Sequence, residues 1–157
     1  MKGLNEKFMA LEGWKTRRPP ISETLNMNLD KYDSGIAVLS MAVGSKFHNP
    51  MGTVHGGIIT DLADAAMGLA TISTLNENES FTTLELKMNF LRPVYEGKIF
   101  ARANVLHRGR TIAVVESVLT LDETDGKVVA RGVATQMILD AERKVSGNDG
   151  KKKAKLG

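Results

Sequence analysis

The stretch Gly56-Gly57-Ile58-Ile59-Thr60-Asp61-Leu62-Ala63-Asp64-Ala65-Ala66-Met67-Gly68-Leu69-Ala70-Thr71-Ile72-Ser73-Thr74-Leu75 decides the fold. It carries no proline, and its apolar residues Ile58, Ile59, Leu62, Ala66, Met67, Leu69, Ala70 and Ile72 surround most of a helical wheel. A helix apolar on nearly every side belongs inside a protein rather than on its surface. The expectation is one long buried helix over residues 56–75, and the rest of the chain must wrap it.

Upstream, Asp33-Ser34-Gly35 is a turn signal between an extended stretch over residues 21–29 and the apolar run Ile36-Ala37-Val38-Leu39-Ser40-Met41-Ala42-Val43. Together they read as a β-hairpin. Residues 44–53 form a polar loop. Downstream, Leu84-Glu85-Leu86-Lys87-Met88-Asn89-Phe90 alternates apolar and polar residues, as a strand with one buried face does. Three further strands are expected over residues 99–106, 111–121 and 128–139, punctuated by Arg108-Gly109-Arg110 and the hairpin signal Asp125-Gly126. A hairpin, one long helix and an antiparallel meander make an α+β layer arrangement, a curved sheet against a single central helix. Leu4, Phe8 and Leu11 recur at helical spacing, and Gly13 with Pro19-Pro20 ends that pattern. The expected division is a helical extension over 1–20, a domain over 21–140, and a basic, disordered tail over 141–157.

The 157 residues suffice for one domain with one core. Net charge is +3, and Lys151, Lys152, Lys153 and Lys155 of the tail account for that excess, so the body is close to neutral. No nucleic-acid partner is expected from such a body, nor from a sequence without aromatics interleaved among basic residues. The absence of cysteine removes disulfides, thiolate metal sites and a Cys nucleophile together, and fits a cytoplasmic location. No run approaches the roughly 18 apolar residues of a membrane span, and no signal peptide is read at the N-terminus.

Three places could carry chemistry. In Asn49-Pro50-Met51-Gly52-Thr53-Val54-His55-Gly56-Gly57, paired glycines open the central helix, where unpaired N–H groups suit an oxyanion or a polarised carbonyl. A plain glycine-rich helix start is the competing reading. Asp64 interrupts an apolar helix, and a desolvated carboxylate suits a general base. Asp61 lies one turn earlier on the same side, and local chemistry does not separate the two. Arg108 and Arg110, around Gly109, could hold phosphate groups or could be a solvated hairpin tip. His48, His55 and His107 lack zinc-ligand spacing, so no metal is expected.

Taken together, Asn49-x-x-Gly52-Thr53-x-His55-Gly56-Gly57, Leu62-Ala63-Asp64, Asn89-Phe90-x-Arg92-Pro93-Val94-x-x-Gly97 and Arg108-Gly109-Arg110 resemble the signature of hotdog-fold acyl-CoA thioesterases. The resemblance covers residues 25–139 and is nearest to the phenylacetate-degradation, or aryl-CoA thioesterase, branch. It implies hydrolysis of aryl or medium-chain acyl-CoA to the free acid and coenzyme A, with no cofactor beyond the coenzyme A of the substrate. It implies a homodimer with a shared active site, two dimers pairing into a homotetramer. Its catalytic acid falls nine positions after the motif His, at Asp64 rather than Asp61. That acid would serve as general base or nucleophile.

Residue by residue, the resemblance gives Gly56 the oxyanion N–H and makes Asn49 a polar residue placing water or thioester. His55 orients the loop and leaving sulfur, and Thr83 assists the acid. Gly57, Arg108, Gly109 and Arg110 become substrate contacts, the last three toward coenzyme A phosphates. The alternative is a non-catalytic acyl-CoA-binding regulatory module of the same fold, which need not keep an acid at position 64.

Overall fold

The computed structural model describes residue 14 and residues 18–140. The expected amphipathic helix on Leu4, Phe8 and Leu11 and the basic tail lie outside those residues. Within them run α1 (Pro20–Thr24), β1 (Asn28–Asp33), β2 (Ile36–Val43), a short 3-10 turn (Ser45–Phe47), α2 (Gly56–Ile72), β3 (Glu79–Phe90), β4 (Gly97–Arg108), β5 (Ile112–Leu121) and β6 (Lys127–Asp140).

α2 is the central helix. Leu62, Ala63, Ala66, Met67 and Ala70 have no solvent exposure, and they meet Leu39, Met41, Ile99, Ala101, Val115, Leu119 and Ala134 in one core. Truncating a side chain such as Leu62 to Ala would cost about 2–5 kcal/mol. One strip of α2 stays partly open and carries Gly57, Thr60, Asp61, Asp64 and Ala65. That spacing is a single helical face.

All six strands join one antiparallel sheet in the order β1-β2-β4-β5-β6-β3. The hairpin is present, and so is the curved sheet around one helix. The meander is not complete: only β4, β5 and β6 follow one another, while β3 crosses to the far edge and pairs with β6. The sheet therefore continues across the helix, with β2 paired to β4 on one side and β3 paired to β6 on the other. A sequence pattern that reports only which face of a strand is buried carries no information about its neighbours.

Two local differences bear on the site. Residues 21–24, expected as extended, fall in α1, because Pro20 occupies the first helical turn, where a missing N–H costs nothing. Its Ser22 is buried, as is Leu25 just after it. In β3 the register shifts between Thr83 and Glu85, a bulge that leaves Leu84 outside the ladder and 54% exposed. Thr83 keeps its place opposite Gln136, a fully buried residue whose Oε1 accepts from Thr71 of α2. Cross-strand partners share a face, so Thr83 points toward the helix.

Candidate active site

The loop before α2 is organised by Asn49. Its Oδ1 accepts from the N–H groups of Met51 (2.9 Å) and Thr53 (3.3 Å), and its Nδ2 donates to Thr53 Oγ1 (3.0 Å). An isolated bridge between His48 and Val54 and the bond from Val54 N to Val94 O fasten this loop to the body. An amide of this kind braces its own loop and retains one free Nδ2 proton.

His55 caps the helix. Its Nδ1 accepts from Gly57 N at 2.9 Å, and its backbone carbonyl accepts from Ile58 N at 3.0 Å. An accepting Nδ1 puts the ring proton of neutral His55 on Nε2, in a side chain that is exposed. The cap consumes the Gly57 N–H. Gly56, the first helical residue, has no acceptor for its own N–H among the described residues. Of the two glycines, Gly56 thus holds the free donor at the positive end of the helix. Its missing Cβ matters, since one would stand 3.0 Å from the Phe90 ring. A cleft of about 360 Å³ opens here, lined by Asn49, Met51, Gly56, Phe90, Leu91 and Arg92.

Asp64 lies two turns further on. It is half-buried, and its Oδ1 accepts from Thr83 Oγ1 at 3.2 Å. Both residues line a second crevice of about 240 Å³, whose other walls include Trp14, Ile21, Gly68 and Phe81. Asp61 lines neither opening. Its Oδ2 is buried without a hydrogen-bond partner, and burial, with Asp64 as a second contribution, pushes its carboxyl above the usual range. Desolvation therefore acts most on Asp61, while accessibility to a ligand belongs to Asp64.

Gly56 and Asp64 do not converge within one chain. Eight helical residues separate them, about 12 Å along the axis, and they face different openings. Arg108 is further removed. In the sheet, Thr83, Gln136, Ala113 and Arg108 are successive register neighbours on four adjacent strands, a span of about 14 Å. The Arg108 guanidinium is held by Glu79 and by the carbonyl of Gly109. Burial alone would raise the Glu79 carboxyl, but the Asn76 N–H and Arg108 outweigh it and hold that carboxyl below its ordinary value. Gly109 N donates to Ile112 O at 2.8 Å, closing the turn, and Arg110 is exposed. Sequence reasoning missed the Glu79 partner of Arg108. For the extension over residues 1–20 the sequence left open a cover for the acyl pocket or a subunit contact, and no local pattern singled out Trp14 and Ile21 as walls of the Asp64 crevice.

Among the described residues no cluster of three or more His, Asp and Glu side chains is arranged for a metal ion, and no helix is long and apolar enough to cross a membrane.

A single core helix wrapped by a six-stranded antiparallel sheet, with a capped glycine start and a carboxylate midway, defines a hotdog-fold protein. The sequence pattern of the Thioesterase superfamily matches residues 51–127. A 1,4-dihydroxy-2-naphthoyl-CoA hydrolase of Listeria monocytogenes is 30% identical over 105 residues, covering 67% of this chain and 85% of the relative. A thioesterase family protein from Silicibacter pomeroyi superposes with a TM-score of 0.74 at 30% identity, covering 88% of this chain and 99% of that one. The phenylacetic acid degradation protein PaaI of Thermus thermophilus, in a mutant form, superposes with a TM-score of 0.69 at 28% identity, covering 76% and 98%. The chain belongs to the thioesterase superfamily.

Proposed function

We propose that this protein hydrolyses acyl-CoA thioesters, with Asp64 as the catalytic carboxylate. The observation that carries the reading is the carboxylate itself, held by Thr83 at the mouth of an apolar crevice on the core helix of a thioesterase fold. The naphthoyl-CoA hydrolase of Listeria supports a thioester of coenzyme A with an aromatic acyl group as the substrate, and the phenylacetic acid degradation protein PaaI supports an aromatic acid.

In this mechanism the Gly56 N–H polarises the thioester carbonyl. Asp64 takes a proton from water as the water oxygen bonds to the carbonyl carbon, or attacks that carbon itself and is released by water in a second step. In the first route the C–S bond of the tetrahedral intermediate then breaks. In the second it breaks before that water attacks, leaving an acyl anhydride of Asp64 for the water to hydrolyse. In both the thiolate leaves and is protonated. The products are the free acid and coenzyme A. An oxyanion donor of this kind contributes about 3–4 kcal/mol. Because Gly56 and Asp64 stand about 12 Å apart on one helix, the reaction needs Gly56 of one protomer and Asp64 of another, so the working unit is at least a homodimer. The long edge strand β3, paired to β6 on one side and without a strand on the other in a single chain, offers the place to join. With Arg108 engaged by Glu79, the exposed Arg110 is the cation of the turn available to coenzyme A phosphates.

The test is a panel of aryl and straight-chain acyl-CoAs with a thiol reagent, run on the wild type and Asp64→Asn. Thiol release by the wild type, reduced by on the order of a hundredfold or more in the variant, is expected. Saturable binding with no turnover in the wild type would replace this reading with a regulatory acyl-CoA-binding module.

A further inference from the structure

The crevice at Asp64 has three walls of different origin. One is a strip of α2, where Asp64, Ala65, Gly68, Leu69 and Ile72 follow at helical spacing. From Asp64 to Ile72 is eight residues, about 12 Å along the axis. The second is β3, whose Phe81 and Thr83 project from the same face. The third comes from the N-terminal segment: Trp14, Pro19, Ile21 and Ser22. Asp64 and Thr83 supply the crevice's reactive polar groups, and the remaining surface is chiefly aliphatic or aromatic.

We propose that this crevice receives the acyl group, and that Trp14 and Ile21 set the largest acyl group the protein accepts. The inference rests on the catalytic role proposed for Asp64 and adds to it the side chains that limit the acyl group, both of which lie outside the stretch matched by the superfamily pattern. A site built to take a charged acyl group would need a partner for it, and the walls beyond Asp64 and Thr83 carry no ionisable side chain. Size follows from volume. A crevice of about 240 Å³ is small for a ligand pocket, which favours a ring or a medium-length chain over a long one.

The walls are not equally adjustable. Gly68 is fixed by Phe81, whose ring would lie 3.1 Å from any added Cβ. Trp14 is 3% exposed and packs into the main core, which ties the N-terminal segment to the body. Ile21 is 51% exposed, at the rim of the crevice. It is thus the position where a larger side chain can be added without displacing the core.

The experiment measures kcat/KM for dodecanoyl-CoA relative to hexanoyl-CoA in the wild type, Trp14→Ala and Ile21→Trp. The ratio should rise about tenfold or more in Trp14→Ala and fall about tenfold in Ile21→Trp, the scale on which apolar pockets discriminate chain length. Trp14→Ala could fail to fold, and a second readout covers that case. Trp14 is the only tryptophan of the chain, so wild-type emission reports on this wall alone. A non-hydrolysable phenethyl thioether of coenzyme A should change it saturably, and coenzyme A alone should not. Unchanged ratios together with silent emission, in a protein that hydrolyses these thioesters, overturn the assignment and leave the hydrolytic function standing. Absence of turnover on every thioester overturns the function instead, and a saturable emission change with the thioether would then still support the acyl site.

Discussion

Thr83 Oγ1 donates a hydrogen bond of 3.2 Å to Asp64 Oδ1, joining the edge strand β3 to the middle of the core helix. The bond orients the carboxylate at the mouth of its crevice and leaves Oδ2 available for a water molecule or the thioester carbon. Thr83→Val, which keeps the shape and removes the hydroxyl, should therefore lower kcat by about tenfold, the value of one hydrogen bond to a charged group. Thr83→Ser should recover most of the loss. A kcat equal to that of the wild type in Thr83→Val would remove Thr83 from the positioning of Asp64.

Asp61 should behave differently from Asp64. Its carboxyl has a raised proton affinity because burial, and then Asp64, disfavour its charge. A group raised in the folded state favours folding most below its unfolded value, and that contribution is lost as pH rises through the folded value. Asp61→Asn removes the unfavourable charge, so at pH 7 it should raise the melting temperature relative to the wild type. The advantage should shrink in acid, below the unfolded Asp value of about 3.9. Its effect on turnover should be much milder than that of Asp64→Asn. Melting curves at the two pH values, with an activity assay at the upper one, check both statements.

The Glu79–Arg108 pair is held the opposite way. Burial raises the Glu79 carboxyl, and Asn76 and Arg108 more than reverse it. A lowered carboxylate contributes stability that is complete above its unfolded value and is lost as pH falls through the folded one. Glu79→Gln should cost about 1–2 kcal/mol at pH 7, between the values typical of exposed and buried pairs. The cost should disappear in acid. Denaturant titrations at neutral and acid pH measure the difference. An equal cost at both would mean that packing, not charge, is what Glu79 contributes.

Much of this was legible in the sequence, for identifiable reasons. The apolar wheel of Ile59, Leu62, Ala66 and Met67 admits only a buried helix, and the glycines at its start mark a donor site. Which strand pairs with which was not legible, because alternation in β3 speaks to faces and not to neighbours, and even the face is incomplete, with Leu84 and Phe90 about half exposed. Nor was the identity of the cap. His55 is outside the usual Ser, Thr, Asp and Asn set, and only the 2.9 Å bond from Gly57 N to its Nδ1 assigns it that place. The same bond separates Gly56 from Gly57, which local chemistry leaves equivalent as N–H donors and only the family resemblance distinguishes. Trp14 and Ile21 reach the crevice through tertiary packing, which no spacing of residues along the chain encodes.

The spacing of Gly56 and Asp64 provides the most direct examination of the assembly. If each reaction centre combines Gly56 of one protomer with Asp64 of its partner, two differently inactivated chains can repair each other. Asp64→Asn removes the acid. Gly56→Pro removes the free N–H at a position where helices accept proline, and the extended conformation of His55, φ −60 and ψ 132, suits a residue that precedes proline. Phe90 must turn aside from the added ring, and as a half-exposed side chain it has room to do so. Each variant alone should be nearly inactive. After co-refolding, a mixed dimer holds one centre with both groups intact and one with neither, so activity should return toward about a quarter of the wild type, half the dimers being mixed and half their centres whole. Unmixed controls at the same concentration fix the baseline. If the mixture stays at that baseline while mass spectrometry shows mixed dimers, the two groups do not act across the interface.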